Sequence, residues 1–573
     1  MNLSYMKRIQ SLALFLFIGF SSTVFSQTGR QPVRAENGMV VSSHYLASQV
    51  GTDILKQGGN AIDATVATAF ALAVTLPSAG NIGGGGFIVY HGDDGKQTTF
   101  NFREKAPIAA TRNMFLGSDG QIKDNSNHQG LLSVGVPGTV AGLYMAHQKK
   151  GKLPWATLLA PAIELAENGF PSTYDMNWFV EWVKKSKDQY PSTAKAFLKD
   201  GKELYKPGEI WKQPDLAETL KRIQSNGADG FYKGATAKLI EDYMKANGGL
   251  ITREDLLKYK AEELAPVRGT YRGHEIISMP PPSSGGIAVI EMLNILEGFN
   301  LKEMGHNSAM SLHVITEAMR RAFSDRAQYI GDPNFNPKMP VKKLLSKEYG
   351  DRLRNTIELG AASVSDSANF NAAHLSPESP ETTHVSVIDG NGSAVSLTYT
   401  LEASYGSRIV VEGAGFLLNN EMGDFNPIPG YTDSRGLIGT DPNLVAPEKR
   451  MLSSMTPTIV TKNGKPLIII GSPGGRTIIN TVLQVIVNVI DHDLDIAKAI
   501  ESPRIHHQWL PDITSFESWG ISPDTRDLYE NMGHKVRFIT NQGQAMGIYV
   551  DPKTGLILGS ADTRSYDGGA VGY

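Results

Sequence analysis

The feature that most constrains the fold of this chain is a pair of alternating apolar runs on either side of a glycine turn, a pattern typical of a β-hairpin. The alternating apolar positions are Val385, Val387, Val395 and Leu397. A Gly-Asn-Gly turn at 390–392 separates the two runs. We therefore predict paired strands over 384–389 and 393–400.

Thr382 stands at the start of the first predicted strand, directly after a stretch of different composition. Residues 361–380 contain mainly Ala, Ser, Asn and Pro, which is typical of an exposed loop. If the bond between Glu381 and Thr382 were cut, Thr382 would carry a nucleophilic hydroxyl and a free α-amine to act as its base. Thr400 would return close to it at the end of the second strand. Alternatively, the Thr-Thr pair is present only because β-branched residues favour strands.

The composition argues against several classes of function. The 573-residue chain is long enough for two or three domains or for one large α/β unit. Its 55 Lys and Arg residues nearly balance its 58 Asp and Glu residues, and no basic block with interleaved aromatic residues occurs, which argues against a nucleic-acid partner. Because the sequence has no cysteine, disulfides, thiolate metal sites and a catalytic thiol are excluded.

The N-terminal segment, residues 1–26, has the pattern of a signal peptide. Two basic residues precede a short apolar run over 12–20, and 24–26 fits a small-residue cleavage site. That run is too short to span a bilayer as a helix, and no later apolar run is long enough. We expect a soluble mature protein without a membrane span, secreted through the inner membrane to the periplasm or the medium. The alternative is an uncleaved N-terminal anchor.

Helical periodicity dominates the middle of the chain, roughly 150–360, and one of its helices carries a pair of candidate metal ligands. Helices are predicted over 43–57, 61–74, 215–224, 235–246, 253–259, 286–296 and 308–329. His313 and Glu317 lie one helical turn apart, but no second histidine follows at a metal-binding spacing. His506 and His507 are neighbours on an extended segment, where side chains point to opposite faces. We expect no metal site.

Two glycine-rich segments adjoin predicted strands. Residues 83–86 lead into a strand, which excludes a dinucleotide fingerprint or a P-loop and favours close packing against another element. The strand over 466–470 instead ends in a turn with Gly474 and Gly475, followed by a helix over 477–490. Backbone N–H groups at such a turn form a nest for a phosphate or for the oxyanion of acyl transfer. A plain tight turn is the alternative.

Polar groups near these strands are further candidates for a site. Arg103 follows the first strand pair, where it either binds a carboxylate through its fork of N–H donors or forms a surface ion pair. A polar turn covers 419–425. The Pro/Gly-rich loop over 426–450 has no periodicity, which is typical of a lid or a binding loop.

Five motifs together resemble the γ-glutamyltranspeptidase family of the N-terminal nucleophile hydrolase superfamily. The likeness runs from about residue 33 to Tyr573, and the motifs occur in the family's order. The motifs are Gly58-Gly59-Asn60-Ala61-x-Asp63-Ala64, Gly83-Gly84-Gly85-Gly86-Phe87, Thr382-Thr383-His384-x-Ser386, Leu452-Ser453-Ser454-Met455-x-Pro457 and Gly471-Ser472-Pro473-Gly474-Gly475.

The resemblance implies a fold and a maturation step. The fold is α+β, a four-layer αββα sandwich built from both subunits of a self-cleaved precursor. Cleavage between Glu381 and Thr382 would give a large subunit, 27–381, and a small subunit, 382–573. The Thr382 hydroxyl would attack the preceding carbonyl in an N→O shift, and water would then free the amine. Because an α-amine has an ordinary pKa of about 8, a useful fraction is unprotonated near neutral pH.

The resemblance also implies roles for ten residues. Thr382 matches the nucleophile, Thr400 the second hydroxyl that positions or activates it, and Gly474 and Gly475 the oxyanion hole. The residues that match the binding site for the γ-glutamyl head are Arg103, Ser453 and Ser454 at its α-carboxylate, and Asp424, Glu402 and Glu421 at its α-amine. A zwitterionic head needs donors at one end and acceptors at the other, which agrees with this set.

Two departures from the family pattern concern binding and the lid. Glu402 stands where some relatives have asparagine; both side chains accept from an ammonium group. Arg435, within the loop over 426–450, aligns with a lid tyrosine of some members. The resemblance therefore leaves lid closure and the balance between hydrolysis and transfer open.

The function implied by the resemblance is that of an exported γ-glutamyltransferase and glutathione hydrolase. A γ-glutamyl ester on Thr382 would form from glutathione or another γ-glutamyl compound and pass to water, an amino acid or a peptide amine, without a metal or organic cofactor. One alternative is an acylase for cephalosporin-type or other side-chain amides, which would use the same nucleophile. Another is an inactive exported protein that binds γ-glutamyl ligands, which would not need Thr382, Thr400 or the glycine pair.

Overall fold

The computed structural model describes residues 30–365 and 382–573. The predicted signal peptide, 1–26, and Glu381 lie outside the described residues. From Pro32 to Tyr573 the chain forms one unit. Among the described residues, we find no helix with the length and apolar character needed to cross a membrane.

Most strands belong to two seven-stranded sheets. In chain order the strands are β1 Val33–Ala35, β2 Met39–Ser42, β3 Gly85–His91, β4 Gln97–Asn101, β5 Phe170–Pro171, β6 Ile210–Trp211, β7 Glu262–Leu264, β8 Val267–Tyr271, β9 His274–Ser278, β10 Thr383–Ile388, β11 Ala394–Thr400, β12 Thr458–Lys462, β13 Lys465–Gly471, β14 Ile505–His506, β15 Thr514–Glu517, β16 Val536–Ile539, β17 Met546–Val550, β18 Ile557–Ala561 and β19 Gly569–Gly572. One sheet has the order β1-β18-β17-β13-β12-β9-β8, and the other has the order β19-β2-β10-β11-β3-β4-β7.

Helices cover the outer faces of the two sheets. The α-helices are Tyr45–Lys56, Ala61–Thr75, Thr139–Lys150, Trp155–Asn168, Asn177–Lys185, Pro191–Phe197, Pro214–Asn226, Asp229–Tyr232, Gly234–Asn247, Arg253–Lys258, Gly285–Leu296, Leu301–Met304, Ala309–Tyr329, Val341–Leu344, Lys347–Arg354, Thr477–Ile490, Ile496–Glu501 and Pro523–Asn531. Helix Ala61–Thr75 packs on β10 and β11, whereas Gly285–Leu296 packs on β8 and β9. Because the sheets also contact each other, the layers follow the predicted αββα order.

The predicted hairpin lies in the middle of one sheet. β10 and β11 pair antiparallel, with Val385 opposite Leu397. Val385 belongs to the apolar core under the helices. Ser386 points the other way and donates to the Met546 carbonyl at 2.9 Å, on a strand of the second sheet. The two-residue period of a strand therefore explains why apolar and small polar residues alternate here.

The predicted helices are confirmed, with one omission in the middle of the chain. Helices Pro214–Asn226, Gly234–Asn247 and Arg253–Lys258 match the prediction, and the last begins with a capping box between Thr252 and Asp255. The expectation of a mostly helical middle missed the two-residue strands β5 and β6 and the longer strands β7, β8 and β9. The β8 sequence Val-Arg-Gly-Thr-Tyr has few apolar residues because it forms the edge of its sheet.

Candidate active site

A cavity at the end of the hairpin brings together nine of the ten predicted site residues. These residues are Arg103, Thr382, Thr400, Glu402, Glu421, Asp424, Ser453, Ser454 and Gly475. The tenth, Gly474, directly precedes Gly475 in the same turn. Residues that lie more than 300 positions apart in sequence therefore meet at one place, as predicted.

Thr382 directly precedes the first residue of β10, and Thr400 is the last residue of β11. Thr383 pairs with Tyr399 in the hairpin register, and one further step sets Thr382 opposite Thr400. Both threonines are buried, and both line the cavity. The Thr400 hydroxyl accepts a hydrogen bond from the Glu402 backbone N–H at 2.9 Å, which fixes the oxygen at the end of the strand.

The glycine segment over 83–86 packs closely against this strand end, as predicted. A Cβ atom on Gly84 would lie 2.0 Å from the Thr400 carbonyl oxygen, so only glycine fits there. The Asn81 side chain donates to the same carbonyl at 2.9 Å and accepts from the Gly84 N–H at 2.9 Å. The glycine segment and Asn81 therefore fix the position of the Thr400 carbonyl.

The predicted strand, glycine turn and helix are confirmed at β13 and Thr477–Ile490. Gly474 has φ 134° and Gly475 has φ 55°, both in the region that favours glycine. The Gly474 carbonyl accepts from the Thr477 N–H at 3.1 Å and from its hydroxyl at 2.7 Å. Because those contacts hold the turn at the N-terminus of a 14-residue helix, it is suited to stabilise negative charge.

Arg103 is fully buried, so the alternative of a surface ion pair is wrong. Its two terminal nitrogens donate to the carboxylates of Glu421 and Asp424. It also donates to the carbonyls of Leu452, at 3.0 Å, and Met451, at 3.3 Å. Although burial opposes its charge, the surrounding carboxylates outweigh that effect and raise the pKa of Arg103 further. The guanidinium is therefore a permanent cation in the cavity wall.

A fourth acid, Glu104, adjoins this group and was not predicted. Its carboxylate lies 3.8 Å from Arg103 Nη1. Burial raises the pKa of Glu104 to about 7, with Arg103 acting in the opposite direction. Burial also raises the pKa of Glu421 well above its ordinary value, although Arg103 again opposes the shift. Near neutral pH Glu104 is therefore only partly ionised, and a bound cation would favour its charged form.

Glu402 presents a carboxylate without a hydrogen-bond partner among the described residues. Its backbone has φ 79°, a strained conformation for a residue with a side chain and one found most often at functional sites. His128 Nδ1 lies 3.3 Å from Glu402 Oε1. A buried acceptor of this kind suits the ammonium group of a ligand. His128 was not predicted because it lies in a loop without any local pattern.

The loop over 426–450 lines a neighbouring cavity rather than the one around Thr382. Leu437, Ile438 and Thr440 contribute to this second cavity, and Asp424 belongs to both. Arg435 lines neither and forms an ion pair with Asp433 at 3.3 Å. The position of Arg435 therefore gives no support to its alignment with a lid tyrosine. Closure of the loop stays a prediction.

Among the described residues, one group has the composition of a metal site: His313, Glu317 and His534. The fold brings His534 from a distant segment, which the helix spacing did not predict. His313 Nδ1 and His534 Nε2 lie 2.8 Å apart, as in a hydrogen bond. Two arginines of the same helix pair with Glu317 and lower its pKa to about 2, although burial opposes the shift. Those charges disfavour a further cation there.

The neighbours His506 and His507 point to different partners, as predicted for an extended segment. His506 Nδ1 lies 2.7 Å from the Asn480 amide nitrogen, and His507 Nε2 lies 3.1 Å from Asp512. Burial lowers the pKa of His506 to about 3. Both rings therefore belong to the interior hydrogen bonding of the fold.

Comparison with known proteins agrees with the geometry of the cavity. The profile of the family described as gamma-glutamyltranspeptidase matches residues 47–572. The glutathione hydrolase proenzyme of Escherichia coli (strain K12) is 46% identical over 547 residues, covering 95% of this chain and 93% of that protein. The acylase ACY 1 proenzyme of Pseudomonas sp. (strain SE83) is 39% identical over 482 residues, 83% of each chain. The crystal structure of cephalosporin acylase from Bacillus halodurans superposes with a TM-score of 0.82 at 29% identity, covering 97% of this chain and 99% of that one.

Proposed function

The chain belongs to the gamma-glutamyltranspeptidase family, and we propose that it is an exported, self-processed γ-glutamyltransferase and glutathione hydrolase. The N-terminal pattern of basic and apolar residues supports export. The similarity to a glutathione hydrolase proenzyme supports glutathione as a donor and a precursor that is cut. The observation that carries the proposal is the cavity in which Thr382 adjoins a set of buried charged groups.

Maturation is proposed to use the same threonine as catalysis. The Thr382 hydroxyl attacks the carbonyl carbon of Glu381, the C–N bond breaks, and an ester replaces the peptide bond. Water then hydrolyses the ester, which leaves a carboxylate on Glu381 and a free α-amine on Thr382. In the continuous chain that nitrogen is part of a peptide and cannot accept a proton. Cleavage therefore creates the general base that the second reaction needs.

In the catalytic cycle, the α-amine of Thr382 takes the hydroxyl proton while the oxygen attacks the γ-carbonyl of the donor. The N–H groups of the turn at Gly474 and Gly475 are proposed to stabilise the resulting oxyanion. The leaving amine takes a proton as the tetrahedral intermediate collapses to a γ-glutamyl ester. Water or an amine acceptor then attacks the ester by the same steps in reverse.

The charged groups of the cavity are proposed to hold the γ-glutamyl head. The acids Glu402, Glu421 and Asp424 suit its ammonium group. Arg103, with Ser453 and Ser454, suits its α-carboxylate. Because the ammonium and the α-carboxylate of the head are both held, the γ-carbonyl is oriented over Thr382. This orientation lowers the barrier by positioning the reacting atoms. The buried oxygens of Glu402 support this assignment, because no described residue gives them a hydrogen bond and an ammonium group would supply one.

A second candidate function is an acylase for cephalosporin-type or other side-chain amides. The similarity to the acylase of Pseudomonas sp. and to the cephalosporin acylase structure favours it. The nucleophile and the oxyanion turn would be the same in a γ-glutamyltransferase and in an acylase. These features therefore do not distinguish the two functions. The three acids that line the cavity, Glu402, Glu421 and Asp424, favour the glutamyl function, since an acyl group without an ammonium would offer them no cationic ligand.

One set of variants tests the proposal. The purified protein should contain two chains and release p-nitroaniline from γ-glutamyl-p-nitroanilide. Thr382→Ala should remain uncut and inactive. Thr383→Ala is the matched control, because that hydroxyl bonds Ser43 at 3.0 Å and does not line the cavity; it should be cut and active. An active Thr382→Ala protein contradicts the mechanism, and an intact, folded wild type without turnover points to the binding-protein alternative.

A second comparison separates the two enzyme functions. Arg103→Ala should raise KM far more for γ-glutamyl than for non-glutamyl acyl substrates, because only the former carry the charged head. Removing the cation also takes from Glu421 and Asp424 the hydrogen bonds that Arg103 donates, so the folded fraction must be measured by circular dichroism. An equal loss on both substrates in a folded variant favours the acylase function.

A further inference from the structure

Two serines of the Thr382 cavity have hydroxyl protons that no described residue accepts. The oxygen of Ser453 accepts a hydrogen bond from the Met455 N–H at 3.1 Å, and that of Ser454 accepts one from Arg326 Nη2 at 2.9 Å. A serine hydroxyl has one proton and two acceptor lone pairs. Since both oxygens act as acceptors toward the protein, both protons remain available to a ligand in the cavity that these serines line.

Arg326 is connected to both serines. It lies near the C-terminal end of helix Ala309–Tyr329 and is buried. Its Nε donates to the hydroxyl of Ser284 at 2.9 Å, and that hydroxyl donates to the Ser453 carbonyl at 2.7 Å. A guanidinium group has donors only, so the direction of its bond to Ser454 is fixed. One side chain therefore orients Ser454 directly and supports the backbone of Ser453 through Ser284.

The charge of Arg326 also matters for an anionic ligand. The guanidinium of Arg103 already donates to the carboxylates of Glu421 and Asp424 and to two carbonyls. A carboxylate that enters the cavity therefore meets a cation that already uses four of its five N–H donors on these described residues. Arg326 adds a second positive charge, which donates a hydrogen bond to the Ser454 oxygen. A hydroxyl that accepts from a cation becomes a stronger donor through its own proton.

We propose that Arg326 is the positioning residue for recognition of the α-carboxylate of the γ-glutamyl head. It turns the Ser454 proton toward the cavity and strengthens that proton as a donor to the carboxylate. The inference rests on the proposed function, since the α-carboxylate is the ligand group concerned. Discrimination between a carboxylate and an uncharged group at the α-carbon then depends on a residue that does not itself touch the ligand.

The test compares two donors that differ only at the α-carbon: γ-glutamyl-p-nitroanilide and its α-carboxamide. Arg326→Gln should raise KM for the carboxylate about tenfold or more and for the carboxamide by less than about threefold, because a charge-assisted hydrogen bond is lost only for the former. The kcat at saturation should stay close to wild type for both. Arg326→Lys keeps the charge but not the fork of donors, so it should recover part of the loss.

Arg321→Gln is the matched control on the same helix. Its guanidinium bonds Glu317 and the carbonyl of Thr356, away from the serines. It should lower stability without changing the ratio of the two KM values. A ratio that changes equally in Arg321→Gln and Arg326→Gln contradicts a specific role for Arg326.

A double-mutant cycle with Ser454→Ala keeps the proposal testable if Arg326→Gln does not fold. Ser454→Ala alone should raise KM selectively for the carboxylate donor, and adding Arg326→Lys should change it little further. Additive losses mean that Arg326 acts independently of Ser454 and overturn the proposal. Unchanged KM in folded, cut variants also overturns it. Absence of turnover by the wild type on both donors would instead contradict the proposed function.

Discussion

Replacement of Gly474 by alanine tests the turn that is proposed to hold the oxyanion. The φ of 134° at this position is accessible to glycine but strained for any other residue. A Cβ atom there would also lie 2.4 Å from the Thr477 hydroxyl oxygen. That hydroxyl bonds the Gly474 carbonyl at 2.7 Å, so the contact cannot be relieved without changing the start of the helix.

The expected magnitude follows from these two effects. Backbone strain of this kind costs about 1–3 kcal/mol, so the variant should unfold at a lower temperature than the wild type. Rearrangement of the turn moves its N–H groups away from the γ-carbonyl oxygen of the donor. Loss of one oxyanion donor typically lowers kcat by about 10²–10³. KM should change little, because the groups that hold the glutamyl head lie on other segments.

Steady-state kinetics with γ-glutamyl-p-nitroanilide, normalised to the amount of cut protein, measure both constants. Gly464→Ala is the matched control: it has φ 75°, no atom lies within 4 Å of its added Cβ, and it belongs to the turn between β12 and β13. It should lose stability but keep kcat. A Gly474→Ala protein that is folded and cut, and whose kcat equals that of the control, refutes the oxyanion role of this turn.

Three further changes test the electrostatics and the packing around the cavity. Burial raises the pKa of Glu104 from 4.5 to about 7, so the native state keeps a proton that the unfolded chain loses, and the free energy of unfolding falls as pH rises across that window. Glu104→Gln should therefore show a smaller fall in Tm between pH 4.5 and 7 than the wild type; an equal fall contradicts the assigned pKa. Glu402→Gln should weaken binding of L-glutamate as a competitive inhibitor by roughly tenfold, because a charged acceptor for its ammonium is removed; an unchanged inhibition constant would remove Glu402 from the site. Thr398→Val should lower the free energy of unfolding by about 1–3 kcal/mol in urea, since the buried His384 Nδ1 loses its partner at 2.8 Å; unchanged stability would show that the bond contributes nothing.

Local patterns predicted the parts of the site that are contiguous in sequence. The hairpin was found because apolar residues alternate on both sides of a glycine turn, and the observed strands differ from the prediction by one residue at three of their ends. The strand, glycine turn and helix around Gly474 were found in the same way. In both cases hydrogen bonds between near neighbours determine the conformation, so a short window of sequence contains the information.

Contacts between distant segments could not be predicted in this way. Nothing in the residues around Arg103 distinguishes a buried cation from an exposed one; its burial depends on Glu421, Asp424 and two carbonyls that lie about 320 to 350 positions away. The family resemblance assigned Glu421 and Asp424 to the same site as Arg103, but it did not predict their bonds to Arg103, the two carbonyls or Glu104. The edge strand β8 was missed for a related reason: it buries too few side chains to show a clear period.

The most direct test of the account is the mass of the acyl-enzyme. The purified protein is mixed with a γ-glutamyl donor, quenched in acid within milliseconds, and analysed by intact-mass and peptide mass spectrometry. We expect two chains, the smaller of which starts at Thr382 and carries one γ-glutamyl group on that residue. A single uncut chain that turns over the donor, or a γ-glutamyl group on any other residue, would contradict it.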